Sequence, residues 1–191
     1  MKRVVFSFLL ILSASISFAQ DETTEEKKGF QKDRLFVGGY MGLTFGSYTM
    51  INISPQLGYR FTDHLAAGLG INGQYISVKN YYLNGAEYSK STQGVTGLNI
   101  FGRVYPVQQF MLQIQPEANY IFGDVKYYDG RSPSTTKLDA MIVPSLLLGG
   151  GAVIPSGRGH FLASIFYDIL QDKNSPYGAR PIYNFGFNIG L

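Results

Sequence analysis

The chain has 191 residues, no cysteine and a formal net charge of +3. That length suits one domain with appendages, and the lack of cysteine excludes structural disulfides and a lipid-modified amino terminus. The basic residues are scattered and form no stripe, which excludes nucleic-acid binding through a basic face.

The first residues read as a signal peptide. Met1-Lys2-Arg3 is a short basic region, Val4 to Leu12 is apolar except for Ser7, and Ser17-Phe18-Ala19 offers small residues at a cleavage site. Residues 1–19 are therefore expected to be removed after Ala19. A membrane anchor is the alternative, but the apolar run is far short of the about 20 residues a spanning helix needs. Loss of Lys2 and Arg3 takes the net charge from +3 to +1, so the sequence pI of about 9.0 overstates how basic the mature protein is. Residues 20–33, Q-D-E-T-T-E-E-K-K-G-F-Q-K-D, are charged and almost free of apolar side chains. They are expected to form a solvated, disordered leader.

From residue 34 to 191 no helical period persists. Eight segments instead alternate with period two, the signature of half-buried strands. The first, Leu35 to Phe45, sets Leu35, Val37, Met41, Leu43 and Phe45 against Gly38, Gly42 and Thr44. After a tight Gly46-Ser47-Tyr48 turn, the second runs from Met50 to Phe61, with Ile51, Ile53, Pro55, Leu57, Tyr59 and Phe61 opposite Asn52, Ser54, Gln56, Gly58 and Arg60. The third spans Leu65 to Ser77, and a long polar loop is expected over 78–92. The fourth, Gln93 to Tyr105, alternates loosely and leads through a short turn at 106–109 into the fifth, Phe110 to Phe122. There Gln113, Gln115, Glu117 and Asn119 share one face. A second polar loop is expected over 123–138. The sixth strand, Asp139 to Val153, has apolar residues on both faces and ends in the turn Pro155 to Gly159. The seventh, His160 to Leu170, and loop 171–181 lead to the last, Ile182 to Leu191. Its Tyr183, Phe185, Phe187, Ile189 and Leu191 make one wholly apolar face.

Such a face left at a sheet edge in water would aggregate. Closing the last strand onto the first, with apolar residues toward lipid, removes both the edge and the exposure. Period two alone does not separate this from a soluble barrel with an apolar lumen. Lysine placement does. Beyond the signal, the lysines stand at 27, 28, 32, 79, 90, 126, 137 and 173, all in the leader or in expected loops. A soluble barrel would carry several on its water-facing strands, whereas Lys or Arg at mid-bilayer costs roughly 2–4 kcal/mol. Short turns at 62–64, 106–109 and 154–159 alternate with longer loops, as in transmembrane barrels. The fold predicted is all-β, an eight-stranded antiparallel up-and-down transmembrane β-barrel.

With this plan the chain, over residues 34–191, resembles the outer-membrane β-barrel proteins of the OmpA/OmpX-like eight-stranded kind. The resemblance rests on the eight strands, the aromatic closing strand and a repeated phrase: Ile53-x-Pro55 to Tyr59, Ile114-x-Pro116 to Tyr120, and Ile142-x-Pro144 to Leu148. It implies a place in the cell outer membrane among its lipids and lipopolysaccharide. It also implies recognition of Tyr183 to Leu191 by the barrel assembly machinery, although Leu191 stands where Phe is commoner. Any further envelope or surface protein partner stays unnamed. Proline donates no ladder bond, so Pro55, Pro116 and Pro144 are each expected to mark a bulge or a break in pairing.

Eight strands leave an interior that side chains fill, which argues against an open pore. Arg60, Arg103, Glu117 and Asp168 are the expected inward charges, held in a polar network because buried charge needs partners. Catalysis of the lipid-modifying or protease kind would call for a histidine near the outer rim. His64 and His160 both fall at short turns, and the chain has no H-E-x-x-H and no histidine cluster. No cofactor or metal is expected, and a structural or surface-interaction role is favoured over an enzyme or a narrow channel. Tyr81, Tyr82, Tyr88, Tyr127, Tyr128 and Tyr177 are expected in the outer loops, as an aromatic girdle or as a recognition surface. Lys79, Lys90, Lys126 and Arg131 are the candidate contacts for glycolipid phosphates.

Overall fold

The structure, a computed structural model, describes residues 31–128 and 132–191. The signal peptide, the leader up to residue 30 and Arg131 lie outside the described residues. Gln31, at the end of the leader, bonds through its N–H to the Tyr59 hydroxyl, and Lys32–Arg34 form one 3-10 turn.

Eight strands follow: β1 (Leu35–Thr44), β2 (Tyr48–Arg60), β3 (Leu65–Tyr81), β4 (Glu87–Val107), β5 (Phe110–Tyr127), β6 (Ser134–Ser156), β7 (Gly159–Asp168) and β8 (Ile182–Gly190). Each pairs antiparallel with its sequence neighbours, and β8 pairs with β1 to close the ring. Closure satisfies the edge that each end strand would otherwise expose. The Leu191 N–H extends the seam by donating to the Leu35 carbonyl.

One end of the ring carries the tight connections at 61–64, 108–109 and 157–158; we refer to it as the turn end. Gly157, at φ +59°, takes the left-handed conformation that this two-residue turn requires. At the other end β3 to β6 continue well past their neighbours. The expected loops 78–92 and 123–138 are thereby corrected: both are mostly strand, and among the described residues only 82–86, 128, 132 and 133 lie outside the ladder. Here polar residues stand on both faces, so hydropathy no longer alternates. The backbone bonds continue without it, through Lys79 opposite Lys90 and Lys90 opposite Lys126.

The prolines behave as expected in one respect and not in another. Pairing of β2 with β3 is interrupted between Ile53–Gly73 and Gln56–Gly70, and that of β4 with β5 between Asn99–Glu117 and Gly102–Ile114. Pro55 and Pro116 lie in these gaps, where an N–H is missing. Pro144 lies where β6 has no partner on the β7 side. On the opposite flank all three are paired in register. None carries a bulge; the register shifts fall at 80/81, 104/107 and 121/123.

The interior is more apolar than the sequence pattern implied. One buried cluster includes Phe36, Phe101, Met111, Leu162 and Phe166, and a smaller one joins Met50, Ile76, Val95, Ile121 and Val143. Between them lies a layer of buried amides from β2 to β5. Small residues make room for the rings: a Cβ on Gly58 would sit 2.2 Å from the Phe36 ring.

Candidate functional site

The outer surface comes first, because it decides the solvent. Ile53, Leu57, Leu69, Ile71, Leu98, Ile100 and Phe185 are all exposed, Leu98 by 68% and Phe185 by 69%. Meanwhile Asn52, Ser54, Gln56, Asn72, Asn99 and Asn119 are buried. This inverts the ordering of a water-soluble protein. From Ile51 to Phe61 the outward apolar row runs about 33 Å along the strand, or about 25 Å along the axis at a tilt of about 40°. That is the height of the hydrocarbon belt of a membrane barrel. Aromatic rings border it. Tyr59 and Phe61, 5.3 Å apart, and Phe161 and Phe187, 5.0 Å apart, mark the turn end. Tyr120 and Phe122, 5.9 Å apart, mark the upper rim. In β8, Tyr183, Phe185, Phe187 and Ile189 belong to the same outward face, with Leu191 exposed beyond it.

Above the upper rim, Lys79, Lys90 and Lys126 sit side by side on adjacent strands. Their register places them on the outward face, with Tyr75 and Phe122. Like charges directly opposite on a sheet repel. Two contacts relieve the row in part: Lys79 Nζ lies 3.6 Å from Glu87, and Lys126 Nζ lies 5.3 Å from the centre of the Tyr128 ring. Lys90, in the middle, has no ion pair among the described residues. Tyr81, Tyr82, Tyr88 and Tyr127 are exposed in the same extension, with the Tyr82 and Tyr88 rings 4.9 Å apart.

Inside, three of the four expected charges are buried: Arg103, Glu117 and Asp168. Arg103, fully buried, donates from Nε to Gln113 Oε1 at 2.8 Å and from Nη2 to Tyr40 Oη and Gln56 Oε1, both at 3.1 Å. Its Nη1 donates to Tyr105 Oη at 3.3 Å, and to the Asn188 amide oxygen at 2.8 Å in the orientation that satisfies that amide. All of these acceptors are neutral. The connection to Glu117 runs through two glutamines of β5. Gln113 Nε2 donates to Gln115 Oε1, and Gln115 Nε2 donates to Glu117 Oε1, each at 2.6 Å. Charge and countercharge are therefore joined by a ladder of amides rather than by an ion pair. Inward side chains two residues apart on one strand are spaced to do this.

Tyr177 completes the layer, and here the sequence reading is corrected. Its place in loop 171–181 puts it among the external aromatics, but it is buried in the barrel mouth. Its hydroxyl donates to Glu117 Oε2 and accepts from Gln74 Nε2, both at 2.7 Å. Burial first, and then the Glu117 charge, hold the phenol well above its ordinary value. Asp168 anchors the same segment, accepting from the Ser175 hydroxyl at 2.6 Å and from the N–H groups of Leu146 and Leu170. Pro176 and Tyr177 thus turn inward and close this end of the barrel, while most of 169–181 stays exposed. The void bounded by Tyr40, Asn52, Glu117 and Tyr177 measures about 10 Å³, one water at most.

Arg60 is a second correction. It faces inward but stands apart from the amide ladder, half-buried at the turn end, with its guanidinium 5.0 Å from the Tyr105 ring centre. The separation follows from register. Arg60 is the last residue of β2, two turns of the pleat below Gln56, the nearest β2 contact of Arg103. His64 also lies at this end, its Nδ1 2.9 Å from the Tyr105 carbonyl oxygen, and His160 faces inward beside Arg60. Among the described residues, no group of three or more His, Cys, Asp and Glu side chains is placed to hold a metal ion. Sequence reasoning missed Tyr40, Gln56 and Tyr177. The first two stand on faces that the alternation already marks as inward, but nothing in the polar stretch 171–181 distinguishes Tyr177.

Strands that satisfy one another in a closed ring, apolar outside and polar within, define a transmembrane β-barrel, because hydrocarbon tolerates no unpaired backbone groups. No protein-family model matches the chain, and no curated protein matches it in sequence. The chain is similar in structure to the N-terminal β-barrel domain of Pseudomonas aeruginosa OprF, with 10% identity over 82% of this chain and 96% of that one and a TM-score of 0.39. It is also similar to Neisserial surface protein A (NspA), with 16% identity, 82% and 94% covered, and a TM-score of 0.42. Another similar structure is the Yersinia pestis outer membrane protein Ail in a phospholipid bilayer nanodisc, with 10% identity, 82% and 98% covered, and a TM-score of 0.38. Likeness at these scores carries no functional weight, so the function must be sought in this chain's own side chains.

Proposed function

We propose that the chain is an integral protein of the outer membrane, acting without catalysis as a structural or surface-interaction component. The observation that carries this is the inverted burial: aliphatic and aromatic residues outside, amides and three buried charged side chains inside. The turn end then faces the periplasm and the extended β3 to β6 face outward. A sealed mouth and a void of about 10 Å³ oppose a conducting role. Both histidines sit at the turn end, away from the outer rim, which opposes hydrolysis of an external substrate. Cell fractionation checks the placement: the protein should sediment with outer membranes and resist carbonate extraction. Recovery in the soluble fraction would overturn it. Planar-bilayer recordings of the purified barrel should show no stepwise conductance.

The external surface is read as a contact for glycolipid phosphates through Lys79, Lys90, Lys126 and Arg131. The first three form the row described above, and only Lys79 of them has an ion pair among the described residues. A lysine near an anionic headgroup layer contributes about 1 kcal/mol. Replacing the four by glutamine should therefore weaken lipopolysaccharide binding by ten-fold or more while the barrel stays folded; unchanged affinity removes the assignment. Insertion is assigned to the aromatic face of β8. Phe185→Ser with Phe187→Ser should slow assembly by the barrel machinery in a reconstituted system, and an unchanged rate would count against that role.

A further inference from the structure

The turn end holds a cavity that neither the closed interior nor the outer surface explains. It measures about 370 Å³, room for about a dozen waters at roughly 30 Å³ each. Three arginines line it from separate parts of the chain: Arg34 before β1, Arg60 at the end of β2 and Arg158 in the β6–β7 turn. His160 and the Asn188 amide complete the polar wall. Asp33 and Asp63 also line it, yet among the described residues no carboxylate lies within ion-pair distance of any of the three arginines. Arg34 is tethered through a bond to the Phe61 carbonyl, and Arg60 rests against Tyr105.

A second layer of positive charge lies beneath. Arg103 contacts the floor of the cavity through Asn188 and through Phe36, whose ring centre is 5.8 Å from its guanidinium carbon. Its own acceptors are all neutral amides and phenols, so its field is not cancelled locally. Inside low-dielectric walls such charges add and focus on the space between them. Guanidinium forks match the paired oxygens of phosphate and carboxylate groups.

We propose that this cavity is an oxyanion-binding site taking a phosphate-class ligand, gripped by Arg60 and Arg158 with Arg34 at the rim. Arg60, His160 and Asn188 face the barrel axis rather than the lipid, so the mouth opens to water and favours a soluble phosphate over a headgroup. The site rests on the cavity alone and does not depend on which membrane face it meets.

The test uses the folded barrel in a phosphate-free maltoside detergent, titrated with inorganic phosphate by calorimetry and compared with chloride at equal ionic strength. Saturable binding of phosphate and not chloride is expected. Arg158→Gln and Arg60→Gln should each weaken it ten-fold or more. Arg158 lies in an exposed turn, so its variant keeps the test valid if Arg60→Gln fails to fold. A second arm measures unfolding in phosphatidylcholine and phosphatidylglycerol vesicles. Stabilisation by phosphate in both, lost in Arg158→Gln, assigns the ligand to solution. Stabilisation by phosphatidylglycerol alone, lost in the same variant, assigns the oxyanion to a headgroup. No saturable response to either source, or a response that Arg158→Gln leaves intact, overturns the site.

Discussion

Tyr177→Phe is the sharpest probe of the sealed mouth. The substitution keeps the ring, so no cavity forms, and removes one hydroxyl with two bonds of 2.7 Å. The bond to the Glu117 carboxylate is of the charged kind, about 1.5–3 kcal/mol, and the bond from Gln74 is of the neutral kind, about 0.5–1.5 kcal/mol. Gln74 Oε1 has no hydrogen-bond partner among the described residues, so loss of the bond at Nε2 leaves that buried amide with no side-chain hydrogen bond. The expected loss is roughly 2–4 kcal/mol. It is measured by urea unfolding in phospholipid vesicles, followed by circular dichroism. Trypsin cleavage after Lys173 should rise in parallel, because 169–181 loses the anchor at its tip while Asp168 still holds its base. Tyr81→Phe, at an exposed tyrosine of the extension, is the control and should change stability by less than about 0.5 kcal/mol. If Tyr177→Phe unfolds within about 0.5 kcal/mol of the parent and cleavage after Lys173 does not rise, the inward seal is wrong.

The same geometry sets four further outcomes. The folded phenol of Tyr177 is raised above its unfolded value, so its contribution is fully present below about pH 10 and is lost as pH climbs beyond; the alkaline fall in stability should be shallower in Tyr177→Phe. Gly58→Ala should destabilise the barrel by about 1–3 kcal/mol, because the Phe36 ring occupies the space of the new methyl. Gly102→Ala, whose Cβ would meet only Ile114 at 3.6 Å, should be near neutral in the same urea assay. Leu69→Arg, in the middle of the outward apolar row, should cost roughly 2–4 kcal/mol in vesicles. A cost near zero would place that face in water.

The eight strands, their order and the outward direction of their apolar faces were legible in the sequence. Side chains alternate strictly along a strand, so the row Ile51 to Phe61 and the row Gln113 to Asn119 each fix a face without any partner in view. The pattern failed where its physical cause failed. Along 78–92 and the described part of 123–138 polar residues stand on both faces, so nothing in the hydropathy marks a strand, although the hydrogen-bond ladder continues. Within the barrel, facing direction was readable but height was not. Arg60 and Arg103 share an inward face, yet the register of β2 to β5 puts one at the turn end and the other at the foot of the glutamine ladder. That register depends on pairings between residues far apart in the chain, such as Tyr48 with Val78 and Ser89 with Tyr127. Tyr177 is the extreme case. Its neighbours in sequence are loop residues and its neighbours in space are Glu117 and Gln74, so only the closed ring could reveal that it belongs to the interior.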